Sequence, residues 1–284
     1  MLAYLILVHR YPQQFKRLFK AIYHQDNHYL VHVDKKSEDS LHAEVQAFLA
    51  GYPNASVLES QRVLWGGFSL VDVELRGIRE LMKRRWDFFI NLSGQDFPLQ
   101  SQEAIAHALS QTRATDYLVL RGHRPETLYR ITNHVVEHQG RLISVAKRPF
   151  LSNAIPYIGN QWAILSRDFC DFVTNSHEVD RFRDFYENTF IPDEGFFQTI
   201  LMNTSYKGSS IVNDDMREIS WISLSQKVVG ITANGVLVHS TRGPRVLTSE
   251  DASRLLASKN FFARKFDETV DSDILGTLES KVLT

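Results

Sequence analysis

The segment Ile191-Pro192-Asp193-Glu194-Gly195-Phe196-Phe197 places two carboxylates where a helix pattern begins. Proline suits a first helical turn because its missing N–H would be unpaired there, and acidic side chains favour the positive end of the helix dipole. Asp193 reads as the cap, and Glu194 as a carboxylate held by backbone at a fixed place, as a general base requires. A second group carries the opposite charge. Arg242 and Arg245 lie in His239-Ser240-Thr241-Arg242-Gly243-Pro244-Arg245, and Arg264 and Lys265 in Phe261-Phe262-Ala263-Arg264-Lys265-Phe266. A guanidinium fork matches phosphate oxygens and an ammonium is a compact charge, so such a cluster can stabilise a departing diphosphate without a metal. The aromatic residues around Arg264-Lys265 pin the backbone that aims those charges.

Other chemistries are less well supported. His134-Val135-Val136-Glu137-His138 spells the His-x-x-Glu-His string of inverted zinc peptidases, but Asn133, Gln139 and Gly140 flank it and leave little room for a long helix. A surface hairpin or loop is expected there. The Asp-x-Asp string Asp271-Ser272-Asp273 follows no strand and reads as a helix N-cap. Neither Gly-x-Gly-x-x-Gly nor a phosphate-binding Gly-x-x-x-x-Gly-Lys-Ser/Thr occurs, which excludes a Rossmann dehydrogenase and a P-loop NTPase. The single cysteine, Cys170, reads as core filler. No metal and no cofactor are expected.

The elements that must position these residues follow from periodicity. Apolar runs at Ala3 to Val8, Tyr29 to Asp34, Ser56 to Glu59, Phe88 to Leu92, Tyr117 to Leu120, Gln161 to Leu165 and Gly235 to His239 read as strands, most of them buried on both faces. Helical spacing recurs between them at Pro12 to His24, Ser40 to Leu49, Ser69 to Arg84, Gln102 to Leu109, Arg167 to Val173, Asp193 to Met202 and Ser249 to Leu256. The alternation predicts an α/β/α sandwich with a mostly parallel central sheet, in one domain over residues 1–284. In such sheets ligands bind beyond the carboxyl ends of strands, here His9-Arg10, Asp34-Lys35-Lys36 and Ser93-Gly94-Gln95-Asp96. Trp65, Trp86 and Trp162 read as core. The net charge of −1 gives no basic field for a nucleic acid, and a small molecule is the expected partner.

Read together, the segments resemble the core-2/I-branching β-1,6-N-acetylglucosaminyltransferases and peptide O-xylosyltransferases (glycosyltransferase family 14). The resemblance runs over nearly the whole chain. It rests on Ala3 to His9, Tyr29-Leu30-Val31-His32-Val33-Asp34-Lys35-Lys36-Ser37, Trp65-Gly66-Gly67-Phe68-Ser69, Phe89 to Leu99, Gly159-Asn160-Gln161-Trp162, Pro192-Asp193-Glu194 and Phe262-Ala263-Arg264-Lys265-Phe266-Asp267, in family order. It implies a GT-A-type, Rossmann-like fold and inverting, metal-independent transfer of GlcNAc, xylose or a related sugar from a UDP-sugar to a hydroxyl. Residues 1–120 would mainly bind the nucleotide-sugar and 121–284 the acceptor and the catalytic machinery.

Position by position, Glu194 matches the family's base and Lys265 its diphosphate-binding lysine. Arg242 matches the partner arginine of the acetylglucosaminyltransferase branch, and Arg245 that of the xylosyltransferase branch. Arg264 joins the same diphosphate cluster. Val8, His9 and Asp34 match positions around uracil and ribose. Ser93, Gly94 and Asp96 stand where other GT-A enzymes keep a metal motif, with Asp96 orienting the loop or contacting the donor sugar. Trp221, Tyr129 and Arg130 match acceptor-contacting positions. Animal members carry a stem, a membrane anchor and disulfides that this chain lacks. That departure suggests a compact bacterial relative working in the cytoplasm, with peripheral association at the inner membrane face, on a glycan, lipid-linked or other hydroxyl acceptor. The alternatives are a non-catalytic carbohydrate- or nucleotide-binding module on the same fold and, distantly, a zinc hydrolase using His134 and His138.

Overall fold

A computed structural model describes residues 1–283 apart from 113, 207–209, 224–226, 233–234 and 240–241, with backbone alone for the rest of 223–242. Strands β1 (Leu2–Val8), β2 (His28–Val33), β3 (Ala55–Leu58) and β4 (Phe88–Ser93) are rich in the branched and aromatic side chains that pack on a pleated surface. β1 pairs in parallel with β2 on one side and with β4 on the other, and β2 pairs in parallel with β3. After β4 the chain leaves this sheet as β5 (Asp96–Pro98) and re-enters it as β6 (Thr115–Leu118). The seven-stranded order is Ser210–Val212, β6, Ala163–Ser166, β4, β1, β2, β3, and the strand Ala163–Ser166 runs against both its neighbours.

Period-two alternation sorts the core. Tyr4, Ile6 and Ile90 face a layer built from α1 (Pro12–Ile22), α2 (Asp39–Leu49) and the helix Asp273–Val282. Ala3, Leu5 and Phe89 face the opposite layer, made by α3 (Ser69–Leu81), Arg167–Asn175 and Phe196–Asn203. Each buried Leu, Ile or Phe contributes ~1.5–3 kcal/mol relative to exposure, so reversing a strand's alternation would expose one core. The expected α/β sandwich with its mostly parallel sheet is therefore present. The path from β3 back to β4 beside β1 creates a topological switch point, and a crevice opens at the carboxyl ends of β1 and β4.

Among the described residues four smaller sheets accompany the central one, and two of them frame the site. In one, β5 pairs antiparallel with Phe262–Arg264, which pairs in parallel with Arg217–Ile219. The other has the order Gly235–His239, Lys227–Thr232, Arg141–Lys147, Asn133–His138. Gly235–His239, expected among the central strands, belongs there instead. Its connection to Lys227–Thr232 is too short for a crossover and makes an antiparallel hairpin.

The zinc string lies in the strand Asn133–His138 of a second hairpin, where a ~3.3 Å rise per residue sets His134 and His138 about 13 Å apart. Glu137 accepts from the Ser69 backbone N–H at 3.0 Å and serves the start of α3. The zinc-hydrolase alternative loses the helix that would set its two histidines one turn apart. Asp271 Oδ1 accepts from the N–H groups of Asp273 and Ile274 at 2.9 and 3.1 Å, which is the expected cap. Among the described residues no helix is long and apolar enough to cross a membrane.

Candidate active site

The crevice at the switch point is a cavity of about 750 Å³. Val8 and His9 from the end of β1, Asp34 after β2, and Ser93 and Gln95 after β4 line one side. Asn160, Gln161 and Trp162 form its floor, Arg264 ends the short strand Phe262–Arg264 with Lys265 next to it, and Asp193 and Glu194 complete the lining. Residues scattered over the chain thus meet because the parallel strands end together and β5 draws Phe262–Arg264 alongside them.

Glu194 is held from several directions. Ile191 adopts a left-handed conformation, φ 53° and ψ 58°, and its N–H donates to Gly66 O at 2.8 Å. A β-branched residue in that region is strained, and the turn it enforces brings Asp193 and Glu194 to the cavity. Gly159 N donates to the carbonyl of Glu194 at 2.7 Å; a Cβ at Gly159 would stand 1.8 Å from Val119 O, so only glycine fits. Arg130, mostly buried, donates from Nη1 to Glu194 Oε2. Burial acts to lower the Arg130 pKa, and the adjoining Glu194 carboxylate more than offsets it, so the net shift is upward.

Asp193 does not cap the following helix, as the sequence suggested. Pro192–Glu194 forms a single 3₁₀ turn, Gly195 separates it from Phe196–Asn203, and no side chain caps either segment. The turn rotates Asp193 inward, where it is 6 % exposed and its Oδ1 has no hydrogen-bond partner. Burial first, then the Glu194 and Glu74 carboxyls, push its pKa well above the usual carboxylate range. Glu74 on α3 lies under the same floor. It accepts from Asn91 Nδ2 and Gln161 Nε2, both at 3.0 Å, and burial raises its pKa to about 7.

On the cationic side, Arg264 stacks 4.0 Å from the Trp162 ring centre and donates to Asp96 Oδ1 at 2.7 Å. Asp96 is fully buried, and its Oδ2 accepts from Ser93 N at 2.8 Å. Of the two roles foreseen for Asp96, the structure displays the first: it fixes the Ser93-Gly94-Gln95 loop and Arg264 together. Gly94 contributes backbone, its carbonyl accepting from Gln14 at 2.8 Å and its N–H donating to Leu7 O at 2.9 Å. His9 is held neutral, its pKa lowered to about 4 by burial first and then by Arg10 and Lys265. Asp34 takes the Lys36 N–H at 2.9 Å and an ion pair with Lys36 Nζ at 3.5 Å.

Of the expected site residues, Val8, His9, Asp34, Ser93, Glu194, Trp221, Arg264 and Lys265 line the one cavity. Arg245 does not: its guanidinium pairs with Asp251, although Gly243 and Pro244 beside it are cavity walls. The side chain of Arg242 lies outside the described residues. Arg130 binds Glu194 instead of lining the cavity, and Tyr129 packs 6.1 Å from Phe190. Trp65, expected in the core, is 48 % exposed and lines the cavity, whereas Trp86 and Trp162 are buried. Trp65 precedes Gly66, whose φ of 79° turns the chain; the Gly66-Gly67 pair was the available signal. Sequence reading also passed over Gln161 and Glu74. A lone amide and a lone acid inside a helix pattern carry no periodic signature. Among the described residues no group of three or more His, Cys, Asp or Glu could hold a metal ion.

A sequence profile of the "Core-2/I-Branching enzyme" family matches residues 2–255. Xylosyltransferase 2 of Homo sapiens is 33% identical over 98% of this chain and 33% of its own length. Xylosyltransferase of Ciona intestinalis is 31% identical over 99% of this chain and 34% of its own. This chain therefore spans about a third of the length of the curated relatives it matches. Among solved structures, mouse xyloside xylosyltransferase 1 in its apo form superposes with a TM-score of 0.38 and 12% identity, over 75% of this chain and 84% of that one.

Proposed function

This chain belongs to the Core-2/I-branching enzyme family, and from that premise we propose that it is a metal-independent, inverting glycosyltransferase that uses a UDP-sugar, with GlcNAc or xylose the first candidates. One observation carries the reading: Glu194 and the basic residues Arg264 and Lys265 line a single cavity at the switch point of the sheet. Uracil and ribose occupy the β1 and β2 ends, against Val8, His9 and Asp34. The diphosphate lies against Lys265 and Arg264, with Arg242 the further cation to test. The acceptor enters past Trp65 and Trp221, whose exposed rings offer stacking faces to a sugar.

In the reaction the acceptor hydroxyl oxygen attacks the anomeric carbon. The bond from that carbon to the diphosphate oxygen breaks, and UDP leaves with the electron pair. Glu194 takes the hydroxyl proton on the face opposite the leaving group, and the basic residues stabilise the charge that develops on the diphosphate. Converting Glu194 to Gln removes the proton acceptor and keeps the shape. Transfer from UDP-GlcNAc or UDP-xylose to hydroxyl acceptors should fall at least ~100-fold, at the low end of what a positioned base contributes. Titration calorimetry should find UDP binding within threefold of wild type. Wild-type transfer should persist in excess EDTA. Full activity in E194Q, or strict dependence on Mn²⁺, would sink this mechanism.

A further inference from the structure

Asp193 is the buried acid of the cavity that the transfer mechanism leaves unused. Three observations bear on it. It is 6 % exposed yet belongs to the wall of the 750 Å³ cavity, beside Glu194. Its Oδ1 has no partner, a costly arrangement for a buried polar atom unless a ligand completes it. It also lies close to Glu74. Its electrostatic neighbours are Glu194, Glu74 and the cation Arg130, and Glu74 is rooted through Asn91 in β4 and through Gln161 in the cavity lining.

A UDP-sugar held by its diphosphate at Arg264 and Lys265 must put its anomeric carbon within reach of Glu194. Its sugar ring therefore lies over Gln161 and Trp162 and against Asp193, while the acceptor occupies the mouth near Trp65 and Trp221. We propose that Asp193 is a donor-sugar binding residue, its buried carboxyl hydrogen-bonding to a hydroxyl of the transferred sugar and so contributing to the choice of donor. This rests on the nucleotide-sugar reading above.

The chemistry suits the task. Burial disfavours the ionised form of Asp193 and shifts its pKa upward, toward the neutral acid, which offers one O–H donor as well as acceptor capacity. A sugar hydroxyl, both donor and acceptor, satisfies either. A site built to bond a hydroxyl also discriminates strongly against a ligand lacking it, because its own buried group is then left unpaired. UDP without its sugar makes no use of Asp193.

The test compares binding of UDP, UDP-xylose and UDP-GlcNAc by titration calorimetry in the wild type, Asp193→Ala, Asp193→Ser and Asp193→Asn, with folding checked by circular dichroism. For at least one of the two sugars, Asp193→Ala should lower the ratio of UDP-sugar affinity to UDP affinity at least tenfold, with UDP itself changed less than twofold. Asp193→Asn, which keeps a donor and an acceptor in the same shape, should restore most of that ratio. If the Ala variant does not fold, the shortened Asp193→Ser carries the same expectation. A ratio unchanged for both sugars, or UDP and UDP-sugar affinities falling together, overturns the assignment. Failure of the wild type to bind UDP or either sugar nucleotide would instead overturn the nucleotide-sugar reading itself.

Discussion

At the scale of single residues, the pairing of Arg130 with Glu194 sets where a proton can go. The carboxylate presents one oxygen to the guanidinium, which leaves the other for the cavity. A charge-assisted hydrogen bond of this kind is worth ~1.5–3 kcal/mol, or roughly 10- to 150-fold in a rate if all of it serves to orient the base. Arg130→Met should therefore lower kcat about 10- to 100-fold while the KM for the donor moves less than threefold. Arg130→Lys, which keeps the charge and loses the planar fork, should fall between. Residues that act as a unit are not additive, so Arg130→Met introduced into E194Q should cost little of whatever residual activity remains. Equal losses in both backgrounds would mean that Arg130 acts elsewhere, for instance on the acceptor as its sequence position first suggested.

At the scale of elements, the site depends on where strands stop and on one close backbone approach. The loop Gly159-Asn160-Gln161-Trp162 crosses under Glu194, and Gly159 lets two backbones meet at hydrogen-bond distance. An alanine there would drive a methyl group against the Val119 carbonyl and part the 2.7 Å bond to Glu194 O. Overpacking of this kind costs roughly 1–3 kcal/mol, and here it displaces the base as well. Gly159→Ala should lower unfolding free energy by about that amount in urea titrations and reduce kcat further than the donor KM; a variant with wild-type kcat would show that the contact does not position Glu194. The elements themselves were legible to unequal degrees. β1, β2 and β4 announce themselves because burial on both faces leaves unbroken apolar runs. The strand Ser210–Val212 is exposed throughout and gives no such run, so it passes unseen. The single turn Pro192–Glu194 was legible as a helix start, but its break at Gly195 was not, and with it went the inward rotation of Asp193.

At the scale of the whole molecule, the sandwich and its crevice follow from alternation and strand order, whereas the buried polar floor does not. Burial of Glu74 and Asp193, and half-burial of Gln161, are decided by tertiary packing, which places α3, β4 and the turn at Pro192 around one point; no local pattern encodes that meeting. This floor makes global stability depend on pH. The Glu74 carboxyl has a pKa of about 7 in the folded chain, against 4.5 when unperturbed, because burial disfavours its ionised form. Below pH 4.5 it is protonated in both states and costs nothing. Between 4.5 and about 7 the unfolded chain releases the proton and the folded chain keeps it, so stability falls as pH rises, and above about 7 the full penalty is reached. The shift corresponds to a penalty on the order of 3 kcal/mol. Glu74→Gln retains an oxygen to accept from Asn91 and Gln161 and cannot ionise. The variant should be more stable than wild type by about 1–3 kcal/mol in urea unfolding at pH 8, with the advantage shrinking steadily to near zero at pH 4.5. An advantage that does not vary with pH, or one that grows toward acid, would mean that Glu74 is ionised in the folded chain and that the polar floor carries a fixed negative charge beneath the bound sugar.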